Sequence, residues 1–437
     1  MHAHSRGLRS IYVSLAVFIS LGVFALPAGA QLKTELVNGY EAVANEVLVK
    51  SSAGANAAGF ARALYANQID NVQTVGSNGW QLLHSSALSA SALVSAFNAN
   101  SAIERAEPNY VVHADLVPND PFWPNLYGMR KIDAPDAWDL STGSTANVVA
   151  VIDTGITYDH PDLVDNVWSA PADYEVMIGS LTLDCPAGSH GYNAILDTCD
   201  PRDDNGHGTH TSGTVGAIGN NGIGVVGVNW TASVMSAKFL NSGGTGTVAD
   251  AIKAIEFTIQ VKAYFGSDAN VRVLSNSWGG PGFSAALRDE IASARDNDMM
   301  FVAAAGNNSS DNDVTPFYPA SYAVENVISV LATTSTDARA SFSNYGANSV
   351  HLGAPGNGII STVRTGYGSA SGTSMATPHV AGAAALVLSY CSMDTATLTA
   401  ALLNNVDPVD ALSGLTITGG RLNVFAAMND PSCVPGP

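Results

Sequence analysis

Three short clusters carry side chains able to do covalent chemistry. The first is Asp153-Thr154-Gly155, which follows the apolar run Val148-Val149-Ala150-Val151-Ile152. An aspartate leaving a strand at the carboxyl edge of an open parallel sheet stands where such sheets place their sites, although it also serves as an ordinary turn or cap residue. The second cluster, Asn205-Gly206-His207-Gly208-Thr209-His210, surrounds a histidine with residues small enough to leave its ring exposed at a helix start. A His pair could instead bind metal, but the glutamate of an H-E-x-x-H zinc helix is missing. The third is Ser371-Gly372-Thr373-Ser374-Met375-Ala376-Thr377-Pro378-His379-Val380-Ala381-Gly382, running into an apolar helix with Ala383–Leu388 as its body. Ser374 falls at the N-terminal end of that helix, where free N–H groups and the helix dipole favour negative charge. Pro378 fits near a first turn and would damage a helix interior. Alone, Ser374 reads as an N-cap. With an acid and a histidine elsewhere in the chain, it reads as a hydroxyl awaiting a base.

The elements that must position these residues come in two styles. From about Glu35 to His113, short alternating runs such as Glu46-Val47-Leu48-Val49 and helical stretches such as Gly59–Asn67 and Ala90–Asn98 describe a small α+β domain. It closes on a strand, Ala106-Glu107-Pro108-Asn109-Tyr110-Val111-Val112, and Pro118-Asn119-Asp120-Pro121 then marks a linker. Beyond Asp120, apolar β-branched runs (Val148–Ile152, Val271–Leu274, Met300–Ala305) alternate with helical segments at Val248–Val261 and Ala285–Asp296. Strands buried on both faces and separated by helices indicate a mostly parallel sheet in an α/β fold.

Asp-Thr-Gly after a strand, then His-Gly-Thr-His, then Gly-Thr-Ser-Met-Ala-x-Pro-His resemble, in order, the three signatures of the subtilisin-like serine proteases (subtilases, peptidase S8). Their Asp, His, Ser order separates them from chymotrypsin-like enzymes and α/β-hydrolases. The likeness runs from about Asp120 to Met428 and implies a three-layer α/β/α domain. It implies that His207 takes the proton of Ser374 and that Asp153 holds the imidazole in the right tautomer. It also implies that Asn307, in Ala305-Gly306-Asn307, and the Ser374 backbone N–H receive the oxyanion. The upstream domain resembles the family's inhibitory propeptide. The expected organisation is therefore a signal peptide at 1–30, a propeptide domain at 31–117 and a catalytic domain at 118–437. Tyr110-Val111-Val112-His113 would thread toward Ser374, and cleavage is expected between His113 and Asp120.

In the family, two backbone segments sandwich an extended peptide as an added strand, which reads main chain and gives broad specificity. Here Gly244-Thr245-Gly246 and Ser277-Trp278-Gly279 match them, and Ala304, Ala305 and Gly306 complete the expected substrate contacts. Phe317, before Tyr318-Pro319-Ala320-Ser321 with its expected cis Tyr–Pro bond, falls where many relatives are small. A ring there would either shorten the primary pocket or swing away. Asn220-Asn221-Gly222-Ile223-Gly224-Val225 resembles the family's calcium loop, giving Asp120, Asp162, Asn221, Ile223 and Val225 as calcium ligands of the mixed oxygen type that suits a hard cation. A tight hydrogen-bonded loop without metal is the alternative. Ala172 to Asp200 is longer than in simple relatives and reads as a disulfide-pinned surface insertion.

Acidic residues outnumber basic ones 37 to 18, and the net charge of −19 argues against nucleic acid or an anionic membrane as partner. At the N-terminus, His2, Arg6 and Arg9 precede an apolar stretch from Ile11 to Leu26, and Pro27 leads into the small-x-small Ala28-Gly29-Ala30. That is a signal peptide in form, an uncleaved anchor being the alternative. Secretion makes disulfides the natural state of Cys185, Cys199, Cys391 and Cys433, and proximity in sequence favours Cys185–Cys199 and Cys391–Cys433 among three pairings. Zinc is the alternative, but no CxxC pair is present. The expected partners are protein and peptide substrates and the chain's own propeptide, with no membrane contact after signal removal and a monomeric state. A narrow processing protease, a catalytically silent binding module and an esterase are the other readings. The esterase would want G-x-S-x-G, and Gly372-Thr373-Ser374-Met375-Ala376 lacks its last glycine.

Overall fold

A computed structural model describes residues 33–38, 40–52, 57–112 and 116–436. The proposed signal peptide and His113 of the expected cleavage region lie outside them. Contacts divide the chain into two units, one up to Val112 and one from His113.

In the first unit the long strand Tyr40–Ser51 pairs antiparallel with Thr34–Val37, Trp80–His84 and Ile103–Tyr110, and Asn71–Val75 pairs with Trp80–His84. The helices Ala57–Ala66 and Ala90–Asn98 cover it. One face of the alternating strand residues, Val47 and Val49, meets Leu93 and Phe97 in a small apolar core. Ser89 caps the second helix by accepting from Ala92 N–H.

The second unit is built on a nine-stranded sheet. In spatial order its strands are Asp407–Pro408, Gly420–Arg421, Leu352–Pro355, Val327–Thr333, Met300–Ala304, Val271–Asn276, Gly143–Asp153, Thr231–Lys238 and Gly191–Asn193. Every pairing is parallel except the terminal one, between Asp407–Pro408 and Gly420–Arg421. Chain order reverses at Gly143–Asp153, which lies between strands that both come later in sequence. This is the topological switch at which open α/β sheets leave a crevice beyond their carboxyl ends.

Successive strand residues point to opposite faces, and both faces are dry. Val149, Val151, Val302 and Val330 pack beneath the helix Thr373–Tyr390, while Val148, Ala150, Ile152, Phe301 and Ala303 pack against the helices Val248–Phe265 and Ala285–Asp296. Two buried faces explain why these strands read as unbroken apolar runs. The stretch read as a surface insertion is more integrated than expected. Its hairpin Tyr174–Ile178 and Leu181–Cys185 buries Tyr174, Val176, Ile178 and Leu183 in the second face's core, and Gly191–Asn193 is the edge strand of the main sheet. Both disulfides form as read, Cys185–Cys199 and Cys391–Cys433. No helix among the described residues is long and apolar enough to cross a membrane.

Pro378 departs from expectation. It lies inside the helix Thr373–Tyr390, as its sixth residue. It therefore removes the N–H that would bond the carbonyl of Ser374 four residues earlier. The Ser277 hydroxyl donates to that carbonyl instead, at 2.8 Å.

One helix–helix contact opposes stability. Glu290 on Ala285–Asp296 faces Glu256 on Val248–Phe265, and burial together with that second carboxyl pushes Glu290 up to about 8 from 4.5. The folded state then holds a proton that the unfolded chain has lost. Stability accordingly falls as pH rises from about 4.5 through about 8 and is lowest above that range. Thermal melts of Glu290→Gln should therefore show a gain in Tm over the parent near about pH 9 that shrinks toward about pH 5. An equal gain at both values would mean that the pair does not titrate in this way.

Candidate functional site

The carboxyl ends of Gly143–Asp153 and its neighbours bring the three clusters together. Asp153 ends its strand fully buried, and His207 opens the helix His207–Gly216. The His207 Nδ1 lies 2.8 Å from Asp153 Oδ1 and 3.0 Å from Oδ2. Both neighbours are acceptors, so Nδ1 carries a proton and Nε2 keeps its lone pair for the cleft. Burial pushes the imidazole toward its neutral form, but the charge and hydrogen bond of Asp153 outweigh it and leave His207 above the ordinary histidine value. The His207 side chain is 30% exposed, enough to meet a substrate, against 0% for Asp153. The close approach depends on Gly208. A Cβ there would stand 2.2 Å from the Gly155 carbonyl oxygen.

A buried carboxylate that the sequence reading missed supports this pair. Asp203 accepts from Thr154 Oγ1 at 2.9 Å, from the N–H groups of Asn205, Gly206 and Thr209, and from Thr209 Oγ1 at 2.6 Å. Burial alone would raise its carboxyl; these donors hold it below the usual carboxylate range. The Thr154 hydroxyl in turn accepts from Gly208 N–H, so one carboxylate ties the residue after Asp153 to the first turn bearing His207. Lys238, 4% exposed, donates to the carbonyls of Thr154 and Leu240 and to Asp204. Nothing in the type or spacing of Asp203 or Lys238 marked them out.

Ser374 is the second residue of its helix. Its hydroxyl donates to the Ser277 carbonyl at 3.1 Å rather than to His207. Asn307 follows the strand Met300–Ala304, and its Oδ1 accepts from both the N–H and the hydroxyl of Thr373, at 2.8 and 3.0 Å. With Oδ1 so occupied, the Asn307 NH₂ faces the other way. A point built as a Cβ on Gly372 lies 3.5 Å from Asn307 Nδ2 and 3.5 Å from Ser374 N, so the two donors flank one space. Such a pair can stabilise negative charge developing on an oxygen.

Gly244, Thr245, Gly246, Ser277, Trp278 and Gly279 line one open groove of about 650 Å³, together with His207, Phe239, Leu240 and Tyr318. Asn241, also missed in the sequence, folds the first wall by accepting from Gly243 N–H and from Thr245 N–H and hydroxyl. The Trp278 ring packs edge-on against Phe239 at 4.7 Å. Ala304 and Ala305 are buried at the end of their strand, and the Phe317 ring turns in, against Gly279 and Gly306. The Tyr318–Pro319 bond is cis.

At the loop from Asn220 to Val225, Asp162 accepts from Asn221 Nδ2 at 2.7 Å and from Val225 N–H at 2.9 Å. Asp120 accepts from Asn220 N–H, while its Oδ1 is buried without a partner. Burial raises both carboxyls, which also repel each other. The Tyr367 hydroxyl, unforeseen in the sequence, lies beside Asp162 as well, and burial together with that carboxylate holds its phenol above the ordinary tyrosine value. Among the described residues no three His, Cys, Asp or Glu cluster as a metal site. Two buried acids, one with an orphaned oxygen, beside the amide and carbonyl oxygens of a tight loop nevertheless fit a hard cation.

Residues 144–423 match the subtilase family, peptidase S8. The chain is 36% identical over 340 residues to the thermophilic serine proteinase of Bacillus sp. strain AK1, covering 77% of this chain and 75% of that protein. It is 35% identical over 313 residues to thermitase of Thermoactinomyces vulgaris, covering 71% of this chain and 99% of that one. Among solved structures, the proteases of Pseudoalteromonas arctica PAMC 21717 superpose with a TM-score of 0.60 at 28% identity, over 72% of this chain and 99% of that one. The chain belongs to the subtilase family and is a serine endopeptidase.

Proposed function

We propose that the chain is a secreted, self-processing zymogen in which Asp153, His207 and Ser374 hydrolyse peptide bonds of broadly varied sequence through an acyl-enzyme. The observation that carries this reading is the two-oxygen contact of Asp153 with His207 Nδ1, which leaves Nε2 basic on the side facing the groove. Rotation of the Ser374 hydroxyl away from the Ser277 carbonyl brings its proton to Nε2; such bonds are often loose before substrate binds. Oγ then attacks the substrate carbonyl carbon as Nε2 takes the proton. The carbonyl oxygen becomes negative between Ser374 N–H and Asn307 Nδ2. His207 returns the proton to the departing amine, and a water activated in the same way releases the acyl group.

Residues 1–30 would be removed as a signal peptide, and residues 31–117 would occupy the cleft until cut off. Supporting this is the separately folded N-terminal unit with its own apolar core. Asp120, Asp162, Asn221, Ile223 and Val225 would hold a structural calcium, whose chemistry is charge compensation for two buried acids. A narrow processing protease remains the second reading, but among the described residues no acidic side chain lines the groove to read basic sites.

Three experiments bear on this reading. Expressed as residues 31–437, the parent should shed about 10 kDa, at roughly 110 Da per residue of a small domain, and digest casein. The Ser374→Ala chain should do neither. A processed, active Ser374→Ala chain would remove the serine from the mechanism. Thr373→Val, which removes the hydroxyl that holds the Asn307 amide and leaves the backbone N–H as its one remaining donor, should lower kcat with little change in KM, by less than the roughly 10²–10³-fold that loss of one oxyanion donor costs. An unchanged kcat would mean that Thr373 does not orient Asn307. Calcium should raise Tm and chelation lower it in the parent, and Asp162→Asn should abolish most of that difference. A parent whose Tm ignores both would refute the calcium assignment.

A further inference from the structure

Beside this site a ring of the chain itself lies between two glycines. On the reading proposed above, the residue whose carbonyl sits between Ser374 N–H and Asn307 Nδ2 would lodge its side chain between Ser277–Gly279 and Ala304–Gly306, the expected substrate-contact segments. Both segments face that slot with glycine, and the Phe317 ring fills the space that their missing side chains leave. A Cβ on Gly279 would stand 2.3 Å from Phe317 Cε1, and one on Gly306 would stand 3.1 Å from Phe317 Cδ1. The ring thus touches the backbone on both sides. It is held there by its own loop. Tyr318, the next residue, exchanges two 2.8 Å backbone hydrogen bonds with Gly280, and Phe317 N–H donates to the Ser321 hydroxyl at 3.1 Å. The open groove, by contrast, is bounded by Phe239, Val248, Trp278, Leu287 and Tyr318, with neither Phe317 nor Ala304–Gly306 on its lining.

We propose that Phe317 plugs the primary specificity pocket and restricts cleavage to bonds after small residues such as glycine, alanine and serine. Large aromatic and long basic side chains at that position are refused because the ring, half-buried between two backbones and held by the bonds of its own loop, takes up the space they would need. Broad acceptance is left to the neighbouring substrate residues, which lie along the open groove. This rests on Ser374 being the nucleophile and narrows the breadth proposed above at one residue only.

The test uses the processed enzyme and its Phe317→Gly and Phe317→Ala variants on a peptide series that differs only at the residue whose carbonyl is attacked. Active sites are counted by the reaction of Ser374 with a small alkyl fluorophosphonate. One methylene in an apolar pocket changes kcat/KM by about 10–200-fold. The parent should therefore favour alanine over phenylalanine by at least about tenfold, and the variants should reverse that order by a similar factor. A parent that prefers phenylalanine or lysine while its Ser374 is labelled overturns the pocket assignment alone. The same holds for folded, labelled variants with the parent's ranking. Failure of Ser374 to take the label in the parent overturns the catalytic reading itself, and the pocket assignment with it.

Discussion

A helix buried on every side can present only side chains that fit, and the helix Thr373–Tyr390 carries the proposed nucleophile from such a position. From Met375 to Leu388 all its residues are buried, five of them alanines and one a glycine. A Cβ on Gly382 would come within 2.8 Å of Val228 Cβ and 3.3 Å of the carbonyl oxygen of Val215 in the helix His207–Gly216. Small residues let the helix approach its neighbours, and a close-packed interior then fixes where its first turn must be. Since Ser374 and the N–H beside it are part of that turn, the accuracy of the site is inherited from apolar packing far from any polar group.

The other half of the constellation is anchored differently. Asp153 and His207 sit where a strand ends and a helix begins, with no continuous apolar surface to hold them. Polar groups buried beside them take over. Asp203 gathers five donors, and Lys238 spends its three on two carbonyls and Asp204. In a low-dielectric interior an unsatisfied member of such a network is costly, so each bond constrains the rest. The Asp153–His207 pair is thus positioned by saturation of hydrogen bonds, and the serine by volume.

That division explains what could be read from residues alone. Apolar runs and helix periodicity located Val148–Ile152, Met300–Ala304 and Ala285–Asp296 closely, because both faces of the sheet demand the same chemistry at every step. Asp153, His207, Asn307 and Ser374 were legible as candidates because their glycine-flanked motifs, though short, stand in the order of the family they resemble. Asp203, Asn241, Thr373 and Tyr367 were not, because a residue whose task is to meet particular polar partners brought close only by the fold leaves no periodic trace. The insertion from Ala172 to Asp200 was misjudged as surface for a related reason. Its alternating hairpin hides only half its residues, and the three-residue edge strand Gly191–Asn193 is too short to show a pattern.

The place of Pro378 gives the molecule a keyed joint. A helix with every backbone donor present could slip or unwind by a residue at its start and find new internal partners. Here one carbonyl is served from outside, by the hydroxyl of Ser277, and that residue belongs to the wall along which a substrate lies. The Ser277 carbonyl meanwhile holds the Ser374 hydroxyl, so the two residues grip each other through crossed bonds. A peptide laid on that wall would therefore bear directly on the mounting of the proposed nucleophile. Floor and tool are bolted together, and whatever stiffens one steadies the other.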